Sequence, residues 1–143
     1  MNEFLLVSGV LITLFGIIEG LWTSIWVDGN SAPFTGRYTT FIWKIFRKII
    51  PKKKDKLLSL AGPFILATTI VLWITFIWLG WTLIFYSDPS SILVKSTNSS
   101  PDFTDAIWYV AYTMFTVGNG DFMPHGDFWQ VLSSLVAFTG MGM

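Results

Sequence analysis

Residues 116–121 read Thr116-Val117-Gly118-Asn119-Gly120-Asp121, and their types and spacing suit one kind of chemistry. Gly118 and Gly120 admit backbone angles with φ > 0, which most side chains resist. A segment alternating between conformations can turn successive carbonyl oxygens the same way. Repeated around an axis by identical subunits, such oxygens replace the hydration shell of a dehydrating cation. One such loop per chain implies four copies, because a four-sided cage needs four walls. Other chemistries lack their parts. With no cysteine, the chain has no disulfide, thiolate metal site or cysteine nucleophile. A single histidine excludes a His–His ligand pair, and no acid-base pair or nucleophile constellation points to an enzyme.

The segment must be held by what precedes it. Pro101-Asp102-Phe103-Thr104-Asp105 opens an apolar run with proline and acidic residues, which are helix-start signals. The 13 residues from Phe103 to Phe115 span roughly 20 Å as a helix, too short to cross a bilayer. A half-length helix returning as glycine-rich backbone is a re-entrant segment, which survives at membrane depth only inside protein or a water-filled cavity. The helix turns its negative dipole end inward, favouring a cation at the axis. Upstream, Ser87 to Ser100 is rich in Ser, Asn and Pro and reads as an exposed loop.

Composition places these elements in a membrane. The 143 residues are 52% hydrophobic and 17% aromatic, only 13% are charged, and the mean hydropathy is +0.59. A soluble domain carries about 25% charged residues, so neither a soluble fold nor a nucleic-acid binder is expected. Phe4 to Val27 contains a single charge, Glu19, and residues 60–86 contain none. Both exceed the roughly 20 residues that cross about 30 Å of hydrocarbon. Phe128 to Met143 adds 16 uncharged residues, about a turn short of a span. The first stretch is too long for a signal-peptide core and lacks a basic start, so a retained span is favoured over a cleaved one. Eight of the nine basic residues lie between the first two spans, which puts that connection in the cytoplasm and the N-terminus outside.

Three regions follow: residues 1–30 with an N-terminal transmembrane helix, a cytoplasmic basic linker over 31–57, and a third region over 58–143. In the linker, Phe41, Ile42, Ile45, Phe46 and Ile49 share one helical stripe, and Lys44, Arg47 and Lys48 another. Such a helix suits the headgroup layer, as a topogenic element drawn to anionic lipid or as a mechanical one. Pro51 ends it, and Lys52-Lys53-Lys54 leads into the next span. Glu19 is an intramembrane charge and so a functional candidate. Pairing with Arg or Lys of the basic helix is the expected arrangement. Trp22, Trp26, Trp78 and Trp81 read as interface anchors.

With Trp108-Tyr109, Thr113, Thr116 to Asp121, and Pro124 shortly after, the chain resembles the pore loop of tetrameric potassium channels, whose pattern is an aromatic pair, a TVGYGD filter and a following proline. The resemblance covers roughly Leu60 to Met143. It implies an all-α membrane protein with an outer helix over 60–86, a re-entrant pore helix and selectivity filter over 101–124, and an inner helix over 127–143. The N-terminal transmembrane helix is extra, and the amphipathic helix is similar to the family's slide helix. The resemblance further implies a homotetramer in the cell membrane that conducts K⁺ passively, with no cofactor beyond the permeant ion. Thr116, Val117, Gly118 and Asn119, with Gly120, would coordinate K⁺. Trp108, Tyr109, Thr113 and Asp121 would support the filter, and Gly140, 20 residues past Gly120, matches the inner-helix gating hinge. At the outer mouth, Asp121 and Asp127 could form acidic rings. Asp127 also has capping-box spacing to Gln130. His125 is there as a proton-sensitive group or a plain surface histidine.

Two departures matter. Asn119 stands where the family has Tyr or Phe, leaving the carbonyl ladder but not the aromatic volume that stiffens it. Phe115 replaces a small or hydroxyl residue. The inner helix ends three residues past Gly140, which reads as a truncation or an open inner mouth. Alternatives are therefore a weakly selective cation channel and a non-conducting membrane subunit associated with a longer channel.

Overall fold

The computed structural model describes residues 1–25, 32–50, 58–96, 98–118 and 120–142. Among the described residues, five helices and two short strands follow in order: α1 (Glu3–Ile25), α2 (Pro33–Ile49), α3 (Ala61–Tyr86), β1 (Ile92–Val94), α4 (Phe103–Met114), β2 (Phe122–Pro124) and α5 (Asp127–Met141). α1 and α3 are long and apolar enough to cross a membrane. The chain divides into two compact units, Met1–Gly16 with Ile74–Met143, and Ile17–Trp73.

In the first unit, small residues let α1 and α3 approach closely. A Cβ on Gly9 would lie 2.7 Å from the Gly80 carbonyl oxygen, and one on Gly80 would collide with the Thr13 hydroxyl. Gly16 meets Phe76 and Ile77 in the same way. Phe15 closes an edge-to-face contact on Phe76 at 5.4 Å, and the Asn2 N–H reaches the Ser87 carbonyl at 2.6 Å. Rising numbers on α1 meet falling numbers on α3, so the two helices are antiparallel. Without a hydrophobic drive between helices in lipid, such association rests on close backbone approach at small residues. Farther along α3, Phe85 is fully buried at the centre of an aromatic cluster, 5.3 Å from the Tyr109 ring and 5.2 Å from Trp129.

The segment expected as an exposed loop carries structure. Its residues Ile92–Val94 pair antiparallel with Phe122–Pro124, Ile92 opposite Pro124 and Val94 opposite Phe122. Two further bonds extend the ladder, Lys95 N–H to the Asp121 carbonyl and His125 N–H to the Ser91 carbonyl, both 2.9 Å. Ser87, Ser91 and Ile92 are buried. The Asp88 carboxylate accepts both the N–H and the hydroxyl of Ser90, which holds its pKa below the ordinary value. The polar composition concealed a three-residue strand because its partner lies some 30 residues away.

The second unit corrects the expectation for Glu19. Its side chain is buried, and among the described residues its carboxylate is met by backbone and hydroxyl donors, not by a basic side chain. Phe34 N–H donates at 3.2 Å, Thr35 N–H at 2.9 Å and the Thr35 hydroxyl at 2.8 Å. These are donors of the first turn of α2, orphaned by the helix geometry itself. A carboxylate there also complements the positive end of the helix dipole. The Thr35 hydroxyl accepts in turn from the Trp73 indole at 3.1 Å, and Ala32 N–H reaches the Thr23 hydroxyl at 3.3 Å. Helix α2 begins with Pro33 at its first position. Ile50 closes it in an extended conformation, as a residue before proline requires. The cationic stripe Lys44, Arg47 and Lys48 is exposed, while Ile42, Ile45 and Phe46 are half-buried. Trp26 and Pro51 to Lys54 lie outside the described residues.

Three substitutions check these contacts in purified protein. Gly80→Ala should cost about 1–3 kcal/mol by overpacking against Thr13, whereas Gly62→Ala, whose added Cβ meets nothing within 4 Å, should be neutral or slightly stabilising. Thermal unfolding in detergent would separate them. Glu19→Ala should lower the same transition by about 1–3 kcal/mol, because it strands the buried donors of Thr35.

Candidate functional site

The candidate site is built on α4, a helix capped at both ends by the chain's own groups. At its start Asp102 accepts the Asp105 N–H at 2.7 Å, while the Asp105 carboxylate accepts the Asp102 N–H at 3.1 Å. This reciprocal capping box satisfies two donors and sets negative charge at the positive end of the dipole. The corresponding spacing at Asp127 does no such work. Asp127 is the first residue of α5, the N-cap is Gly126, and no side-chain cap bond forms. Asp127 therefore contributes exposed negative charge to the first turn.

At the other end, Thr116 adopts φ = +54°. Its N–H reaches the Thr113 carbonyl at 3.2 Å, and the Val117 N–H reaches the Tyr112 carbonyl at 3.0 Å. This is a Schellman closure, the 5→2 and 6→1 bonds that consume orphan carbonyls, with threonine in the left-handed position usually held by glycine. Gly118 is left-handed again at φ = +70°, so the backbone alternates at 116 and 118. Thr116, Val117, Gly118 and Gly120 are exposed. Asn119 lies outside the described residues.

Three polar contacts tie α3, α4 and α5 to one another. The Trp78 indole donates to the Ile107 carbonyl at 3.1 Å, tying α3 to α4. The Trp81 indole donates to the Thr139 hydroxyl at 3.1 Å, tying α3 to α5. Both tryptophans are thus interhelical fasteners and not the interface anchors their sequence positions suggested. Tyr109, buried on α4, meets the Ser133 hydroxyl at 2.5 Å. Ser133 gives its own proton to the Trp129 carbonyl at 2.7 Å, so Tyr109 is the donor across the α4–α5 contact.

The residues read as filter supports separate into distinct places. Tyr109 faces α5, and Thr113 donates its hydroxyl to the Tyr109 carbonyl at 2.8 Å. Trp108 is half exposed and sits edge-on to Tyr112 at 4.8 Å. Asp121 holds the β ladder through its carbonyl, and both its residue and His125 are exposed. Gly140, within α5, lies against the end of α4, where a Cβ would collide with the Met114 carbonyl oxygen. A close backbone approach is thus a reason for glycine there. The partners Ser133, Thr139 and Met114 carried no signal in the sequence, since serine, threonine and methionine on an apolar helix are unremarkable until the contact is seen.

A half-length helix is thus tied to two longer helices and leaves through a left-handed backbone return. Comparison with known proteins gives the family. A family model described as an ion channel matches residues 64–143. That is more than half of the chain, and the protein belongs to this two-transmembrane ion-channel family. Over 141 residues, 99% of its length, the chain is 37% identical to the uncharacterized membrane protein YdjJ of Bacillus subtilis (strain 168), and it spans 41% of that relative. No solved structure matches.

The α4–α5 fastener is open to a double-mutant cycle. Tyr109→Phe and Ser133→Ala should each lower stability by about 1 kcal/mol. The double variant should lose less than their sum, leaving a coupling of at least ~0.5 kcal/mol in thermal unfolding.

Proposed function

We propose that the protein is a subunit of a homotetrameric channel that conducts K⁺ passively, with Thr116, Val117, Gly118, Asn119 and Gly120 supplying backbone oxygens to the ion. The observation that carries this reading is the segment Thr116 to Asp121 following a doubly capped half-length helix fastened to both α3 and α5, in a chain of the ion-channel family. Alternation between left-handed and ordinary backbone at 116 and 118 supports it, because such alternation turns carbonyls toward one side. In this reading α3 is the outer helix, α4 the pore helix and α5 the inner helix. The N-terminus lies outside, and the basic helix α2 rests on anionic lipid at the cytoplasmic face. Asp121 and Asp127 enrich cations at the outer mouth.

Asn119 favours a second reading, a cation channel of the same architecture with weak selectivity. Oxygens of the backbone persist whatever side chain stands at 119, but Asn lacks the ring volume that would brace the filter. Planar-bilayer recordings with K⁺ on one side and Na⁺ on the other distinguish the two. A reversal potential far from zero in the direction of the K⁺ gradient supports K⁺ selectivity. A value near zero with clear openings supports the weakly selective channel, and absence of conduction from a protein shown to be tetrameric overturns both. Gly118→Ala should abolish selective conduction while leaving the tetramer mass in mild detergent unchanged, since a side chain at φ = +70° is strained whatever space surrounds it.

A further inference from the structure

A cavity of about 400 Å³ lies within the second unit, between the end of α1, the start of α2 and the first turns of α3. At ~30 Å³ per water-sized group it holds on the order of a dozen heavy atoms. Its walls are amphipathic. The hydroxyl residues Thr23, Ser24, Thr35, Thr39 and Thr69 line it together with the aliphatic Leu66 and Ile70. Thr23 sits near the end of one apolar helix and Gly62 near the start of the other, so the cavity is at the membrane boundary.

The hydrogen bonds already made define what the hydroxyls can still accept. Thr39 donates to the Gly36 carbonyl at 3.1 Å, Thr69 to the Ile65 carbonyl at 2.7 Å and Thr35 to Glu19 at 2.8 Å. A threonine hydroxyl has one proton and two lone pairs. With three protons committed, Thr39 and Thr69 offer oxygen acceptors. Thr23, which accepts from the Ala32 N–H, and Ser24 bring hydroxyl protons as well. The wall therefore suits a group that both donates and accepts, as a hydroxyl does. An anionic headgroup finds none of the N–H groups that a helix start would otherwise supply, because Glu19 occupies those of Phe34 and Thr35. Its negative charge stands behind Thr35 and opposes a second anion. A cation finds no free carboxylate on the wall either, since Glu19 already accepts three bonds. Burying an ion among neutral groups is costly.

We propose that this cavity binds a neutral membrane amphiphile with a free hydroxyl, a long-chain alcohol or acylglycerol. Its hydroxyl donates to Thr39 or Thr69, and its chain runs along Leu66 and Ile70 toward lipid. The site is separate from the ion path and independent of the channel reading.

Photolabelling with 3-azioctanol, a photoreactive eight-carbon alcohol, tests it on the full chain in lipid nanodiscs, with labelled peptides mapped by mass spectrometry and referenced to labelling of α5. Label concentrated on residues 62–73 and 35–39, displaced by 1-octanol but not by octanoate or octylammonium, supports the proposal. Thr39→Val with Thr69→Val keeps the volume but removes both acceptors, and should cut that labelling about tenfold, the equivalent of one hydrogen bond of ~1.4 kcal/mol. Gly62→Leu, at a lining position where an added Cβ meets nothing within 4 Å, provides a second variant that should also reduce it. Label spread evenly over the lipid-facing helices, or unchanged in both variants, overturns the site. Equal displacement by octanoate or octylammonium overturns the neutral-alcohol class. Conduction enters none of these readouts, so a silent channel leaves them intact.

Discussion

A helix that stops short inside a low-dielectric region leaves four N–H groups at its start and four C=O groups at its end with no partner inside the helix, and lipid offers no water to replace them. The rest of this structure depends on how that constraint is met. At α4, Asp102 and Asp105 satisfy donors at one end, and the N–H groups of Thr116 and Val117 satisfy acceptors at the other. At α2, the start of the helix is satisfied from outside by Glu19 of α1. Each solution also fixes a larger piece: the first sets the direction in which backbone leaves α4, the second where α2 begins.

The two caps differ in what they demand of the sequence. A capping box needs acidic or hydroxyl residues three apart, a pattern that Asp102 and Asp105 display openly. Asp127 displays the same spacing to Gln130 without using it, because Gly126, with φ = +84°, already turns the chain into α5. Spacing therefore proposes a cap, and the backbone before it decides. Glu19 could not be assigned from spacing at all. Its donors come from residues 15 and 16 positions later, and an intramembrane carboxylate near a basic helix suggested an ion pair on charge alone. Backbone N–H groups carry no formal charge and leave no mark in a composition.

What hydropathy and motif made legible were the two long apolar helices, the amphipathic stripe of α2 and the family-defining loop around Gly118. What they could not show were contacts resting on single polar atoms or single missing ones. Trp78 and Trp81 look like interfacial anchors because they stand in the last third of a span. Their indole N–H groups instead find a carbonyl on α4 and a hydroxyl on α5. The glycines on α1 and α3 read as generic small residues, and only the pairing of Gly9 and Thr13 with Gly80 gives them a purpose. In each case the energetic content sits in a partner far along the chain, and periodicity within one helix is blind to it.

The placement of these fasteners bears on how a loop can tolerate an unusual residue at its centre. In the pore-loop pattern an aromatic side chain at position 119 would brace the filter from within the loop. Here the bracing that the structure displays comes from elsewhere: a capped helix, a left-handed Thr116, and the β1–β2 pairing that fixes Phe122 to Pro124 directly after the motif. The loop is thus held at both ends by backbone bonds that do not pass through residue 119. Where that loop supplies backbone oxygens to an ion, as proposed above, restraint at its ends acts on those atoms. In that reading a sequence can lose an aromatic and keep the direction of its carbonyls, while the width between opposing carbonyls is left to the side-chain volume behind them. An asparagine supplies less of that volume than a ring, so in the proposed channel selectivity, more than conduction, is what residue 119 would govern.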